Sequence, residues 1–195
     1  MEVALIISSI FLWLIVLFNL LLTLVLVRRA NTYGNTSRTD APGLSIGEQA
    51  PAFAAENLEG EIVTLESYTQ RGRATALLFI SAHCQPCHEM IATLGELIPG
   101  ARQTGVDLVL VSSSDHEQTE TLLDDFHLDI PTLIAVQSNN SFFSDYKITS
   151  TPSYYVIDED GTILSAGHPM PMVSSWKAFT VTWIRAAKLA TSRRR

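Results

Sequence analysis

Two cysteines, the only ones in 195 residues, stand three apart in the stretch Ser81-Ala82-His83-Cys84-Gln85-Pro86-Cys87-His88. Sulfurs at that spacing suit a dithiol that exchanges disulfides, because one thiolate can attack and the other can then attack the mixed disulfide and release the product. Two structural readings compete with this one. A disulfide closing so small a loop stabilises by only about 2 kcal/mol through chain entropy, a poor reason to keep it as a staple. Structural zinc takes four ligands, usually two such pairs, whereas this single pair has only His83 and His88 beside it. Redox chemistry is the better reading, with no metal or other cofactor expected.

The flanking residues say how the sulfurs are held. Ala76-Leu77-Leu78-Phe79-Ile80 reads as a buried strand, and Met90, Ile91, Leu94, Leu97 and Ile98 recur with helical period. Cys84 is therefore predicted at a strand-to-helix turn, where unpaired backbone N–H groups and the positive end of the helix dipole stabilise a thiolate. That makes Cys84 the expected nucleophile and Cys87, one turn further in, the resolving thiol. Pro86 is tolerated because the first helical turn needs no donor there.

Val3 to Val27 is apolar apart from Ser8, Ser9, Asn19 and Thr23. As a helix it would reach roughly 37 Å, past a hydrocarbon core of about 30 Å, and it is expected to span a lipid bilayer. Glu2 before it and Arg28-Arg29 after it differ from the basic start, short apolar run and small-residue cleavage site of a signal peptide. The predicted plan is an anchor over 1–29, a polar linker over 30–44, one α/β domain over 45–190 and a basic tail over 191–195. Sidedness pulls two ways. Arg28, Arg29 and Arg38 favour a cytoplasmic domain by the positive-inside rule, whereas a lone tethered dithiol is most useful where disulfides persist. The expectation is a single-pass protein of the cell membrane with its redox domain extracytoplasmic. Between Asp40 and Ser192, 19 acidic residues stand against 7 basic ones, a balance of −12, which suits solubility and argues against nucleic acid as a partner.

Within the domain, the segment Gly47 to Phe53, a turn at Asn57-Leu58-Glu59-Gly60 and a short strand Ile62 to Leu65 form an opening hairpin. Gln70 to Arg73 reads as a polar turn. Pro99-Gly100 should end the helix after the cysteines, Val106 to Val111 is a buried parallel strand, and Ser112 to Asp115 caps a helix over Glu117 to Phe126. Ile130 to Val136 is read as a further strand and Ser141 to Tyr146 as a helical turn. Ser153 to Ile157, a turn at Asp158 to Gly161 and Thr162 to Ser165 form a second hairpin, and an amphipathic helix over Val173 to Leu189 closes the domain.

Together, the Gly47 to Phe53 segment, the first hairpin, Cys84-Gln85-Pro86-Cys87, the Thr151-Pro152 strand and the Asp158 to Gly161 hairpin resemble the thioredoxin-like TlpA family over roughly Leu44 to Leu189. The anchor, the Leu77 to Ser81 strand and the lack of tryptophan before Cys84 resemble in particular its membrane-anchored MauD-type members, accessory proteins of methylamine dehydrogenase. The resemblance implies a thioredoxin-like fold, a central mixed sheet flanked by helices. It also implies exchange with protein thiols and disulfides, in the reductive direction and with a redox partner. Pro152 matches the cis-proline that faces the cysteines in that fold, preferred over Pro131 because a strand and hairpin follow it. Thr151 would then pair with a substrate's backbone, and His83, Gln85 and Pro86 would form the rim that a substrate meets. Three residues depart from the pattern. Leu78 stands where thioredoxins carry a buried aspartate that helps deprotonate the second cysteine, leaving His88 or Glu89 as substitutes. His83 replaces a tryptophan, and Gln85 replaces the proline that often follows the first cysteine in MauD-like proteins.

Two other function classes fit less well. A peroxiredoxin has a similar Gly-x-x-Ala-Pro-x-Phe segment and a threonine or serine three before its cysteine, as Ser81 is, but also an upstream proline that is missing between Arg71 and Ile80. A copper-delivery protein of the Sco type would add a histidine ligand, for which His116, His127 and His168 are candidates, but that family spaces its cysteines one residue wider.

Overall fold

The computed structural model describes residues 6, 7, 11–20, 23 and 43–169. The chain divides into two units, Met1–Ala41 and Pro42–Arg195. In the first, residues 11–20 are helical (α1), with Phe11, Leu12, Trp13 and Phe18 exposed. Among the described residues no helix is long and apolar enough to cross a membrane. The remainder of the expected anchor, most of the linker, the expected helix over 173–189 and the basic tail lie outside the described residues.

In the second unit the elements are, in order, β1 (Ala54–Asn57), β2 (Ile62–Thr64), α2 (Leu65–Thr69), β3 (Ala74–Ile80), α3 (Gln85–Gln103), β4 (Val106–Ser112), α4 (His116–Asp125), β5 (Thr132–Ile134), α5 (Phe142–Asp145), β6 (Ser153–Ile157) and β7 (Ile163–Gly167). The strands form one mixed sheet in the order β2-β1-β5-β4-β3-β6-β7. β3, β4 and β5 run parallel, joined by α3 and α4, and β6 returns antiparallel on the other side of β3. A parallel pair needs a crossover long enough for a helix, which the apolar period after Cys87 supplies.

Every residue of β3 is buried, as a strand covered on both faces requires. Its side chains alternate between two cores. Ala76, Leu78 and Ile80 pack with Met90, Ile91 and Leu94 of α3 and Leu122 and Leu123 of α4. Leu77 and Phe79 face the other way, toward Phe53, Phe142, Phe143, Tyr146 and Tyr155.

Three expectations need correction. The helix after the cysteines continues through Pro99-Gly100 to Gln103. Pro99 removes one backbone hydrogen bond, but burial of Ala101 and the bond from Arg73 Nη2 to the Arg102 carbonyl, 3.2 Å, hold the extra turn. Its exit is made at Gly105, whose φ of +78° suits glycine. Leu65 opens a short helix instead of ending a strand, because Leu65 and Tyr68 turn inward onto the second core. The strand expected over Ile130 to Val136 shortens to Thr132–Ile134, where β4 on one side and β1 on the other supply its partners.

The aromatic core also sets the alkaline limit of stability. Tyr146 donates to the Pro51 carbonyl at 2.9 Å and Tyr155 donates to the Tyr146 carbonyl at 3.0 Å. Burial, with lesser contributions from Tyr155 and Asp145, pushes the Tyr146 phenol far above its ordinary range, and burial also raises Tyr68 and Tyr155. The unfolded chain releases these protons near pH 10 while the folded protein still holds them, so stability is full below that pH and falls above it, through the raised folded values. The urea midpoint is expected to drop between about pH 9 and about pH 11, and to drop less in Tyr146→Phe. An equal drop in both proteins would remove Tyr146 from this account.

Candidate active site

β3 ends at Ile80 and α3 begins at Gln85, so the chain leaves the central strand and delivers Cys84 as the helix N-cap. Its Sγ accepts the Cys87 N–H at 3.2 Å, a first-turn donor that also meets the Cys84 carbonyl at 2.9 Å. Pro86 sits in that turn, where its missing N–H is not needed. Cys84 and Cys87 are joined by a disulfide. Cys84 is half-buried, whereas Cys87 is fully enclosed by the core beneath α3. A reagent can therefore reach the first sulfur and not the second.

The peptide of Ala82 fixes the turn. Its N–H donates to Ser114 Oγ at 2.9 Å, and its carbonyl lies 2.7 Å from His88 Nε2. A carbonyl only accepts, so Nε2 of His88 carries the hydrogen. His88 thus holds the loop, and no hydrogen bond from it to Cys87 is present. Glu89 is exposed, and Leu78 is wholly buried and apolar. Among the described residues no carboxylate replaces the aspartate that Leu78 displaces. The Ser112-Ser113-Ser114-Asp115 run, expected only to cap a helix, divides its labour. Asp115 caps α4 through the Gln118 N–H at 2.9 Å, Ser112 Oγ meets Thr119 Oγ1 at 2.7 Å, and Ser114 braces the redox loop.

Opposite the sulfurs stands the segment leading into β6. β6 pairs with β3 so that Ser153 lies across from Phe79, which brings Thr151 to the end of β3 where the cysteines emerge. The Thr151 carbonyl oxygen is 3.4 Å from Cys84 Sγ. Pro152 is buried, and Thr151-Pro152 is the one cis peptide among the described residues, which excludes Pro131. His83, Gln85 and Pro86 are exposed beside Cys84. A groove of about 420 Å³ adjoins His83, lined also by Ala82, His88, Asp115 and Gln118 among others. The wider cavity, about 530 Å³, includes Arg102 at the far end of α3 and holds neither sulfur.

The remaining histidines have local partners. His116 Nε2 meets the Leu58 carbonyl at 2.7 Å. His127 sits in the turn after α4 with φ at 49°. His168 Nδ1 lies 3.0 Å from Ser153 Oγ and 3.1 Å from the Pro152 carbonyl. Among the described residues no three His, Cys, Asp or Glu side chains are grouped to hold a metal ion, so the copper reading finds no third ligand there. The Ser153 and His168 contacts join positions 15 residues apart across a hairpin, and no local sequence signal announces them.

Comparison with known proteins agrees with this geometry. Residues 46–166 match the AhpC/TSA family. The thioredoxin-like protein YneN of Bacillus subtilis is 30% identical over 147 residues, covering 74% of this chain and 83% of that protein. The thiol-disulfide oxidoreductase ResA of Bacillus cereus is 26% identical over 127 residues, covering 64% of this chain and 70% of that one. Among solved structures, a Chlorobium tepidum protein provisionally named as the thiol:disulfide interchange protein DsbE superposes with a TM-score of 0.65 at 19% identity, over 74% of this chain and 99% of that one. The thioredoxin domain of a thiol-disulfide oxidoreductase from Bacteroides vulgatus gives 0.59 at 18%, over 70% and 99%. The fold is thioredoxin-like.

Proposed function

We propose, because the chain belongs to the AhpC/TSA family and sets a Cys-x-x-Cys pair against the Thr151-Pro152 strand, that it reduces disulfides in proteins outside the cytoplasm, working from a membrane anchor. Oxidoreductase activity toward thiols and disulfides follows from the family, the relatives and the fold. The direction, the anchor, the sidedness and the residue roles are the substance of the proposal.

One observation carries it: the two sulfurs are unequal, Cys84 capping the helix at the surface and Cys87 enclosed beneath it. The Cys84 thiolate attacks one sulfur of a substrate disulfide and expels the other as a thiolate, which takes up a proton. Cys87, having given up its own proton, attacks Cys84 Sγ; the second substrate sulfur leaves, and the Cys84–Cys87 disulfide remains. Two electrons have passed to the substrate, and a dithiol partner returns them by the same steps reversed. The reductive direction is supported by the resemblance to TlpA-like reductases.

The anchor rests on the apolar run from Val3 to Val27 and on the exposure of its described helical residues. Closeness to the MauD-type proteins within the family rests on that anchor and on the residues from Leu77 to Cys84. Family membership and the position of Ser81 also favour peroxide as an alternative oxidant, against which stands the missing upstream proline.

The test is reduction of insulin by the reduced full chain in detergent micelles, run beside hydrogen peroxide. One insulin disulfide broken per dithiol, with slow loss of peroxide, is the expected result; fast peroxide consumption without insulin reduction would overturn the proposal. Protease added to intact spheroplasts is expected to remove the domain, and its survival until lysis would reverse the sidedness.

A further inference from the structure

We propose that His168 is a positioning residue for substrate docking: its Nδ1–H pins the Ser150–Ser153 corner and so holds the Thr151 backbone beside Cys84, ready for a disulfide-bearing peptide chain. The inference rests on the exchange reaction proposed above.

Hydrogen-bond capacity fixes the arrangement. Ser153 Oγ has one hydrogen, and its nearest acceptor is the Ser150 carbonyl at 2.6 Å. Having donated there, Oγ can only accept from His168 Nδ1 at 3.0 Å, and the Pro152 carbonyl at 3.1 Å can only accept as well. Nδ1 must therefore carry a hydrogen, shared between the two oxygens. Protonation of the other ring nitrogen leaves this bond in place, so the pin works with the imidazole neutral or charged.

The consequence falls on Thr151. The carbonyls of Ser150 and Pro152, on either side of it, are both tied to the network of Ser153 and His168. Its own carbonyl points at Cys84 Sγ, and among the described residues its N–H has no hydrogen-bond partner, the state of a strand edge open to another chain. His168 follows directly on β7, where Gly167 pairs with Tyr154 of β6. The outer strand of the sheet thus acts on the corner from the side away from the sulfurs. His168 touches neither sulfur, so its effect is on docking of a backbone and not on exchange itself.

The test compares wild type, His168→Ala, His168→Gln and His168→Asn as reduced full chains. Two disulfides are used, a peptide with one internal disulfide and dithiobis(nitrobenzoate), which has no peptide backbone to pair. Asn places an amide N–H where Nδ1–H stood, whereas Gln places it where Nε2 stood. The Ala and Gln variants are expected to raise the half-saturating peptide concentration roughly three- to tenfold, the size of one net hydrogen bond, with the saturated rate and the small-disulfide reaction unchanged. Asn is expected to restore wild-type behaviour. Equal losses toward both disulfides, no loss at all, or failure of Asn to rescue would each overturn the proposal, as would a histidine nitrogen spectrum with His168 protonated on Nε2 alone. A wild-type protein inert toward both disulfides would overturn the exchange reaction and this inference together, whereas active wild type with unaltered variants would overturn this inference alone.

Discussion

Cys87→Ser, mixed with its disulfide substrates, is expected to accumulate mixed disulfides on non-reducing gels, while Cys84→Ser accumulates few or none and exchanges nothing. The reason is access. Cys84 is the half-buried cap of α3, and Cys87 has no surface through which a substrate sulfur could approach in line. Without Cys87 the first attack still occurs, but the nucleophile that expels the second substrate sulfur is missing and the covalent intermediate persists. Equal trapping by both variants, or alkylation of Cys87 before Cys84 in the reduced protein, would reverse the roles. The trapped bands also provide a direct route to the substrates.

Phe79→Ala is expected to cost about 3–5 kcal/mol, the range for deleting a fully buried aromatic ring. Phe79 is the aromatic residue that β3 sends into the aromatic core, beside Leu77. Its ring centroid lies 5.3 Å from Phe142, 5.1 Å from Phe143, 5.6 Å from Tyr146 and 6.2 Å from Tyr155, mostly edge-on. Four rings lose a common neighbour at once, and the cavity cannot collapse without moving the central strand. For a domain of this size the loss corresponds to a fall in Tm of roughly 10–20 °C. Phe79→Leu, which leaves less empty volume, should lose less than half as much. A fall below about 3 °C for the alanine variant would show that the core closes over the gap. Because Phe79 pairs with Ser153, its loss should also loosen the segment opposite the sulfurs before the domain melts.

Legibility in the sequence followed the strength of local pattern. β3 is apolar apart from Thr75, β4 is apolar from Leu108 to Val111, and α3 carries a clear helical period, so the elements that place Cys84 and Cys87 could be read directly. Pro152 was placed by resemblance and by the hairpin after it. α2 was missed because five residues cannot show a period, and the turn beyond Pro99 because proline is a local stop signal that Ala101 and Arg73 override through tertiary contacts. β1 reads Ala-Ala-Glu-Asn, with no strand propensity of its own, and exists because β2 and β5 flank it. In the site, the brace from Ser114 to Ala82 and the contacts of His168 join residues distant in sequence. His88, considered as a base for Cys87, proved to be committed to the Ala82 carbonyl, which one sequence cannot reveal.

The carbonyl that touches Cys84 comes from a residue 67 positions later in the chain, and this separation orders events during synthesis. A polypeptide that emerges from its N-terminus presents both sulfurs well before Thr151 exists to confront them. Closing their four-residue loop needs no distant partner, and with two cysteines in the chain no wrong intramolecular pairing is available. The contacts between β3 and β6 are long-range and must form late. On the roles proposed for Cys84 and Thr151, the nascent protein acquires its reactivity before its selectivity. In that interval its thiols are open to any oxidant or unfolded neighbour at the site of synthesis, and on the same proposal the arrival of β6 turns an indiscriminate dithiol into one that chooses.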